Sequence, residues 1–160
     1  MLLYRDIISG DELISDAYNL KDVDDIVYEV DCAMVQIKQG EVDIGEEEIT
    51  EDGVETVNNV VYSFRLVSTT YTKKDYQIHI KSYLKKLKQH LQENQPDRVD
   101  IFEKNVTAFV KKVLANFSEY DFYIGESMSV DGMVVLLNYR EDGITPYMIF
   151  FKDGLREEKL

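Results

Sequence analysis

The chain has 160 residues, 44% of them hydrophobic, with 7 Phe, 11 Tyr and no Trp, and its net charge is −13. Read as a single domain of 160 residues, it is long enough to bury about 70% of its unfolded surface and needs no disulfide or structural metal to hold it together. Its one cysteine, Cys32, excludes an internal disulfide and a multi-thiolate zinc site and points to a reducing compartment, while the acidic balance opposes nucleic acid and anionic membranes.

The N-terminal stretch MLLYRDIISGDE is interrupted by Arg5 and Asp6 and does not read as a signal peptide. No apolar run approaches the roughly 20 residues of a membrane helix, so a cytoplasmic protein without membrane insertion is expected. Leu2–Ile8 reads as a short strand and Ser9–Asp16 as a polar, turn-rich segment. Val27–Val30 and Met34–Ile37 are strand-like runs on either side of Asp31 and Cys32, a pattern that predicts a hairpin. From Glu41 to Glu55 the composition changes: Glu41, Asp43, Glu46, Glu47, Glu48, Glu51, Asp52 and Glu55 stand together with no basic or aromatic residue. Repulsion and the lack of apolar surface predict a mobile acidic loop over 41–56. Val57–Val67, alternating and rich in β-branched and aromatic residues, predicts a strand.

Two helices follow. Thr72 is placed as an N-cap with Asp75 three residues on, and Tyr76, Ile80, Tyr83, Leu84, Leu87 and Leu91 trace one helical face. Pro96 ends this helix near Asn94. The second begins around Pro96–Asp97 and carries the stripe Val99, Phe102, Val106, Phe109, Val110, Val113, Leu114 and Phe117. A short connection between long helices predicts an antiparallel hairpin over 72–118. The final third reads as strands at Phe122–Ile124, Met133–Tyr139 and Tyr147–Phe151, with a turn at Glu141-Asp142-Gly143. Strands, a helical hairpin, then strands indicate an α+β fold with a largely antiparallel sheet.

Little here suggests catalysis. His79 and His90 are the only histidines. Eleven residues apart on one helix, they stand about 16 Å from one another, too far for a shared metal or dyad, and read as solvated. No phosphate loop, nucleophile elbow or HExxH pattern occurs, and Cys32 reads as a buried structural thiol. The acidic segment allows two readings, a diffuse low-affinity calcium site without EF-hand order or a simple solubilising loop; Asp22, Asp24 and Asp25 read as a solvated acidic turn. Charge is uneven: Lys73 to Lys112 holds ten of the 18 Lys and Arg against five acids, net +5, leaving −18 on the rest. Lys81, Lys85, Lys86, Lys88, Lys111 and Lys112 form this basic helical face, read either as a solvated surface or as a docking face for an acidic partner. The acidic remainder and the sparse aromatic interleaving speak against nucleic acid.

Several long segments carry a resemblance. Phe117–Tyr139 (FSEYDFYIGESMSVDGMVVLLNY), Arg140–Leu155 (REDGITPYMIFFKDGL), Tyr4–Tyr18 (YRDIISGDELISDAY), KKDYQIHIKSYLKKLK and PDRVDIFEK closely resemble the translationally controlled tumour protein (TCTP) family, and within it the fungal members. The resemblance implies a β-tent similar to that of small-GTPase chaperones, with a projecting α-helical hairpin. It further implies a non-enzymatic cytoplasmic protein that binds calcium, associates with tubulin and microtubules through the hairpin, and is linked to growth and to translation through elongation factors or ribosomes. The alternative it implies is a regulator of a small GTPase, acting as exchange factor or nucleotide-free chaperone, with the contact falling on Glu12 and Glu126; a turn carboxylate is the plain reading of Glu12. β-Tent-like folds also host peptide sulfoxide reductases, which need more cysteines than Cys32 alone. The chain departs from the family where Ile44-Gly45 runs directly into Glu46-Glu47-Glu48, without the family's Asn-Pro-Ser-Ala-type stretch, so nothing done through that stretch is carried over.

Overall fold

The helix α2 (Lys73–Asn94) organises the molecule. In the computed structural model, which describes residues 1–38 and 54–160, the Thr72 hydroxyl accepts the Asp75 N–H at 3.1 Å and caps the helix as expected. Tyr76, Ile80, Tyr83, Leu87 and Leu91 are buried along its length. A 3₁₀ turn at Pro96–Arg98 leads into α3 (Val99–Ala115), which runs back along α2 and buries Phe102, Val106 and Val113. This is the predicted hairpin, with α3 beginning two to three residues later than its proline suggested.

Among the described residues the strands form three antiparallel sheets. β1 (Leu2–Asp6) lies between β11 (Leu155–Lys159) and β2 (Glu12–Ser15). A six-stranded sheet runs β3 (Leu20–Val23), β4 (Val27–Asp31), β10 (Pro146–Phe151), β9 (Val135–Tyr139), β8 (Asp121–Ile124) and β7 (Val67–Thr69). β5 (Met34–Lys38) pairs only with β6 (Val54–Asn58). The hairpin packs on the large sheet through aromatic contacts: Tyr76 meets Phe122 at 5.4 Å and Phe109 meets Phe151 edge-on at 5.5 Å between ring centroids. Each such pair adds about 0.5–1.5 kcal/mol beyond the area it buries. An α+β fold with a largely antiparallel sheet and a helical hairpin is therefore what the chain adopts.

Four expectations change. Val27–Val30 and Met34–Ile37 do not pair with each other. The Cys32 N–H donates to Pro146 O at 2.8 Å, and Ala33 exchanges bonds with Asn59, so the chain leaves one sheet and enters another. The hairpin partner of β4 is β3, joined through Asp24 and Asp25, both at positive φ (55° and 57°). The strand expected over Val57–Val67 stops at Asn58, because the Asn58 carboxamide accepts the N–H groups of Val60 and Val61 and starts α1 (Asn59–Phe64), which Arg65 closes at φ 55°. In the segment read as a polar turn, Glu12–Ser15 is a strand with Leu13 and Ile14 fully buried. The last strand, β11, was not expected at all. The predicted acidic loop lies outside the described residues except at its end, where Val54–Thr56 belong to β6.

Candidate functional site

Both glutamates singled out in the sequence lie at one junction. Glu12 opens β2, and its exposed carboxylate reaches Arg5 Nη2 at 3.5 Å. Arg5 is committed elsewhere, since its Nε donates to Glu158 at 2.6 Å and holds that carboxyl below its ordinary value. Glu12 is thus loosely held, worth little as an ion pair. Glu126 sits between β8 and β9 and meets Arg65 Nε at 2.9 Å, with both side chains more than half exposed. Their neighbours are bonded: the Ser127 hydroxyl donates to the Asp11 carboxylate at 2.7 Å and the Ser127 N–H approaches it at 3.3 Å. Glu12 follows Asp11 and Glu126 precedes Ser127 in the chain, so this contact joins the two segments that carry the glutamates.

The basic hairpin separates into two classes. Lys86 pairs with Asp131 at 3.4 Å and Lys88 with Glu103 on α3 at 2.6 Å. Lys81, Lys85, Lys111 and Lys112 are exposed and have no ion pair among the described residues. Lys74, Lys81 and Lys85 follow one another at spacings of seven and four, opposite the buried stripe of α2, and Lys104 and Lys111 do the same on α3. Arg98, counted in the basic block, faces inward. It donates through Nε to Asp153 at 2.7 Å and through Nη1 to Asp25 at 2.7 Å, and its Nη2 reaches Asp153 and the Asp25 carbonyl.

Asp22, Asp24 and Asp25 were read as a solvated turn. All three are exposed at the β3–β4 turn as expected, and Lys152 bonds Asp22 and Asp25 at 2.6 Å each, while Lys152 with Arg98 holds the Asp25 carboxyl below its ordinary range. Carboxylates already neutralised by two cations do not fit a calcium site, and no cluster of three His, Cys, Asp or Glu among the described residues suits a metal. One histidine differs from expectation. His79 is half-buried, stacked on Tyr83 at 5.8 Å and against Tyr71, and burial lowers its pKa. Cys32 is buried as expected, its thiol pushed up to about 11 by desolvation. Among the described residues no helix is long and apolar enough to cross a membrane.

The family model for translationally controlled tumour protein matches residues 1–156. The chain belongs to the TCTP family. It is similar to the TCTP homologue of Schizosaccharomyces pombe, with 66% identity over 99% of each chain, and to that of Candida albicans, with 57% over the whole of both. The fold agrees with solved TCTP structures. The translationally controlled tumour-associated protein p23fyp of S. pombe superimposes with a TM-score of 0.87 at 65% identity over all of both chains. TCTP of Caenorhabditis elegans superimposes with a TM-score of 0.76 at 33% identity, covering all of this chain and 99% of that one. The chain is a fungal-type member of the family, with the hairpin and the Glu12–Glu126 junction as its two candidate contact surfaces. Asp6, Asp11 and the inward Arg98 were not singled out from the sequence; the Ser9-Gly10 turn between the two aspartates was the one local signal available.

Proposed function

We propose that this TCTP is a multi-partner cytoplasmic binding protein whose hairpin docks on acidic protein surfaces, with tubulin and microtubules the first candidates. Its links to growth and to elongation factors or ribosomes would run through contacts of the same kind. The observation that supports this reading is the set of exposed lysines Lys81, Lys85, Lys111 and Lys112 on a two-helix element, without an ion pair among the described residues. Lysines held in water bind singly with little energy, but together they steer an acidic partner, and the attraction fades as salt shortens the Debye length from about 10 Å at 0.1 M to about 3 Å at 1 M. Co-sedimentation with intact microtubules and with microtubules whose acidic tails have been removed by protease tests it. Binding should be lost with the tails; undiminished binding to trimmed microtubules would refute it. Calcium is proposed only as a weak ligand of carboxylates other than the Asp22–Asp25 turn. Tight saturation with a global change in amide shifts would contradict that.

The second reading, regulation of a small GTPase, is favoured by the Asp11–Ser127 contact, which joins the segments that carry Glu12 and Glu126. Exchange requires no acid or base. A surface carboxylate that displaces a phosphate or magnesium suffices. Release of nucleotide from GDP-loaded GTPases, measured with wild-type and Glu12→Ala protein, separates this reading from the first.

A further inference from the structure

The turn between β1 and β2 and the segment between β8 and β9 are far apart in sequence, yet the carboxylates at the two ends of the turn, Asp6 and Asp11, hold the segment at two points. At one end Asp11 accepts the Ser127 hydroxyl at 2.7 Å and the Ser127 N–H at 3.3 Å. Gly125 lies so close that a Cβ there would overlap the Asp11 carboxylate. At the other end Asp6, 2% exposed, accepts the Met133 N–H at 2.7 Å, and a Cβ on Gly132 would stand 2.6 Å from the same oxygen. The two aspartates are themselves joined: the Asp6 N–H donates to Asp11 O at 2.9 Å. Between the two attachments Met128 takes a left-handed conformation at φ 59° and is 58% exposed. Left-handed backbone at a residue other than glycine or asparagine persists where the surroundings impose it.

We propose that Asp11 is a positioning residue that makes Glu12 and Glu126 a single preformed contact surface for a protein partner. This rests on the small-GTPase reading of those two glutamates. The attachments divide the work. Asp6 is buried and builds the segment into the fold. Asp11 is partly exposed and fixes only the end that carries Glu126. Without Asp11 that end would sample many arrangements, and a partner would have to order it on binding, at a cost in affinity that a preformed surface avoids.

The test uses the full chain with Asp11→Ala, Asp11→Asn, Ser127→Ala and Glu126→Ala. By NMR, Asp11→Ala should shift the Glu126 and Ser127 amides and speed hydrogen exchange at Ser127 about tenfold, the loss of a charge-assisted bond. The Met133 amide, held by Asp6, should not change, and Asp11→Asn, which keeps an acceptor, should stay near wild type. Binding is measured to the GDP-loaded member of a small-GTPase panel that Glu12→Ala weakens. Asp11→Ala should weaken it roughly threefold or more, and adding Asp11→Ala to Glu126→Ala should change nothing further, as expected when one residue acts through the other. An unaltered Ser127 amide in Asp11→Ala, or effects of Asp11→Ala and Glu126→Ala that multiply, would overturn the positioning role. If Glu12→Ala weakens no member of the panel, the small-GTPase reading itself falls and the proposed role of Asp11 in binding falls with it.

Discussion

Asp153→Ala tests what fixes the hairpin on the sheet. Asp153 has a side chain only 5% exposed and receives two bonds from Arg98, at 2.7 Å from Nε and 2.9 Å from Nη2, while Arg98 is itself 14% exposed. Truncating one member of a buried pair costs about 3–5 kcal/mol because the other is left desolvated. Asp25 still reaches Arg98 Nη1 at 2.7 Å, which places the expected loss at the low end, about 3 kcal/mol. For a chain of this size each kcal/mol moves the midpoint by about 2–4 °C, so thermal unfolding should fall by roughly 6–12 °C. Glu103→Ala removes the partner of Lys88, where the side chains are 48% and 39% exposed, and should cost less than about 1 kcal/mol. The double variant Arg98→Met, Asp153→Ala should be more stable than Asp153→Ala alone, since no charge remains buried. Urea unfolding followed by circular dichroism reads all three. An Asp153→Ala protein within about 0.5 kcal/mol of wild type would show that the clasp does not anchor the hairpin.

Two further outcomes follow from buried groups. Burial holds His79 below its ordinary 6.5; Lys86 lowers it further, whereas Asp131 and Asp6 oppose the shift, and the ring packs on Tyr71 and Tyr83. The unfolded chain therefore takes up a proton that the folded chain resists, so stability is lost as pH falls below about 6.5 toward the lower folded value. His79→Phe should flatten the stability profile between about pH 7 and pH 5; an unchanged slope in denaturant titrations would refute the assignment. Cys32, with its thiol near 11 and 7% exposure, should react with iodoacetamide at about pH 7.5 only through unfolding. Labelling as fast in the native as in the denatured protein would place the thiol elsewhere.

Legibility in the sequence followed the range of the interaction. The stripe of α2 from Tyr76 to Leu91 and the Thr72 cap were readable because the helical period and the cap are local. β9 and β10 were readable because they are apolar and joined by a short turn. α1 was missed because its β-branched and aromatic residues favour a strand, and the Asn58 cap that decides otherwise is one side chain. β11, with sequence LREEK, carries no apolar alternation; its pairing with β1 is a backbone ladder between chain ends, supported by Arg5 and Glu158. At the site, Glu12 and Glu126 came from resemblance, and what joins them is a bond between residues 116 positions apart. The sequence showed a basic hairpin but could not say which lysines were already neutralised, because that depends on where Asp131 and Glu103 arrive in space.

The most direct test compares two variants of equal charge, Lys81→Gln with Lys85→Gln and Lys86→Gln with Lys88→Gln, in microtubule co-sedimentation at low salt. Gln keeps good helix propensity, so circular dichroism should not change for the first pair. Removing Lys81 and Lys85, exposed and without an ion pair among the described residues, should abolish most of the pelleting, while removing Lys86 and Lys88, which face Asp131 and Glu103, should leave most of it. Pelleting of the Lys81, Lys85 variant at the wild-type level, or equal losses in both variants, would contradict docking through the exposed lysine face.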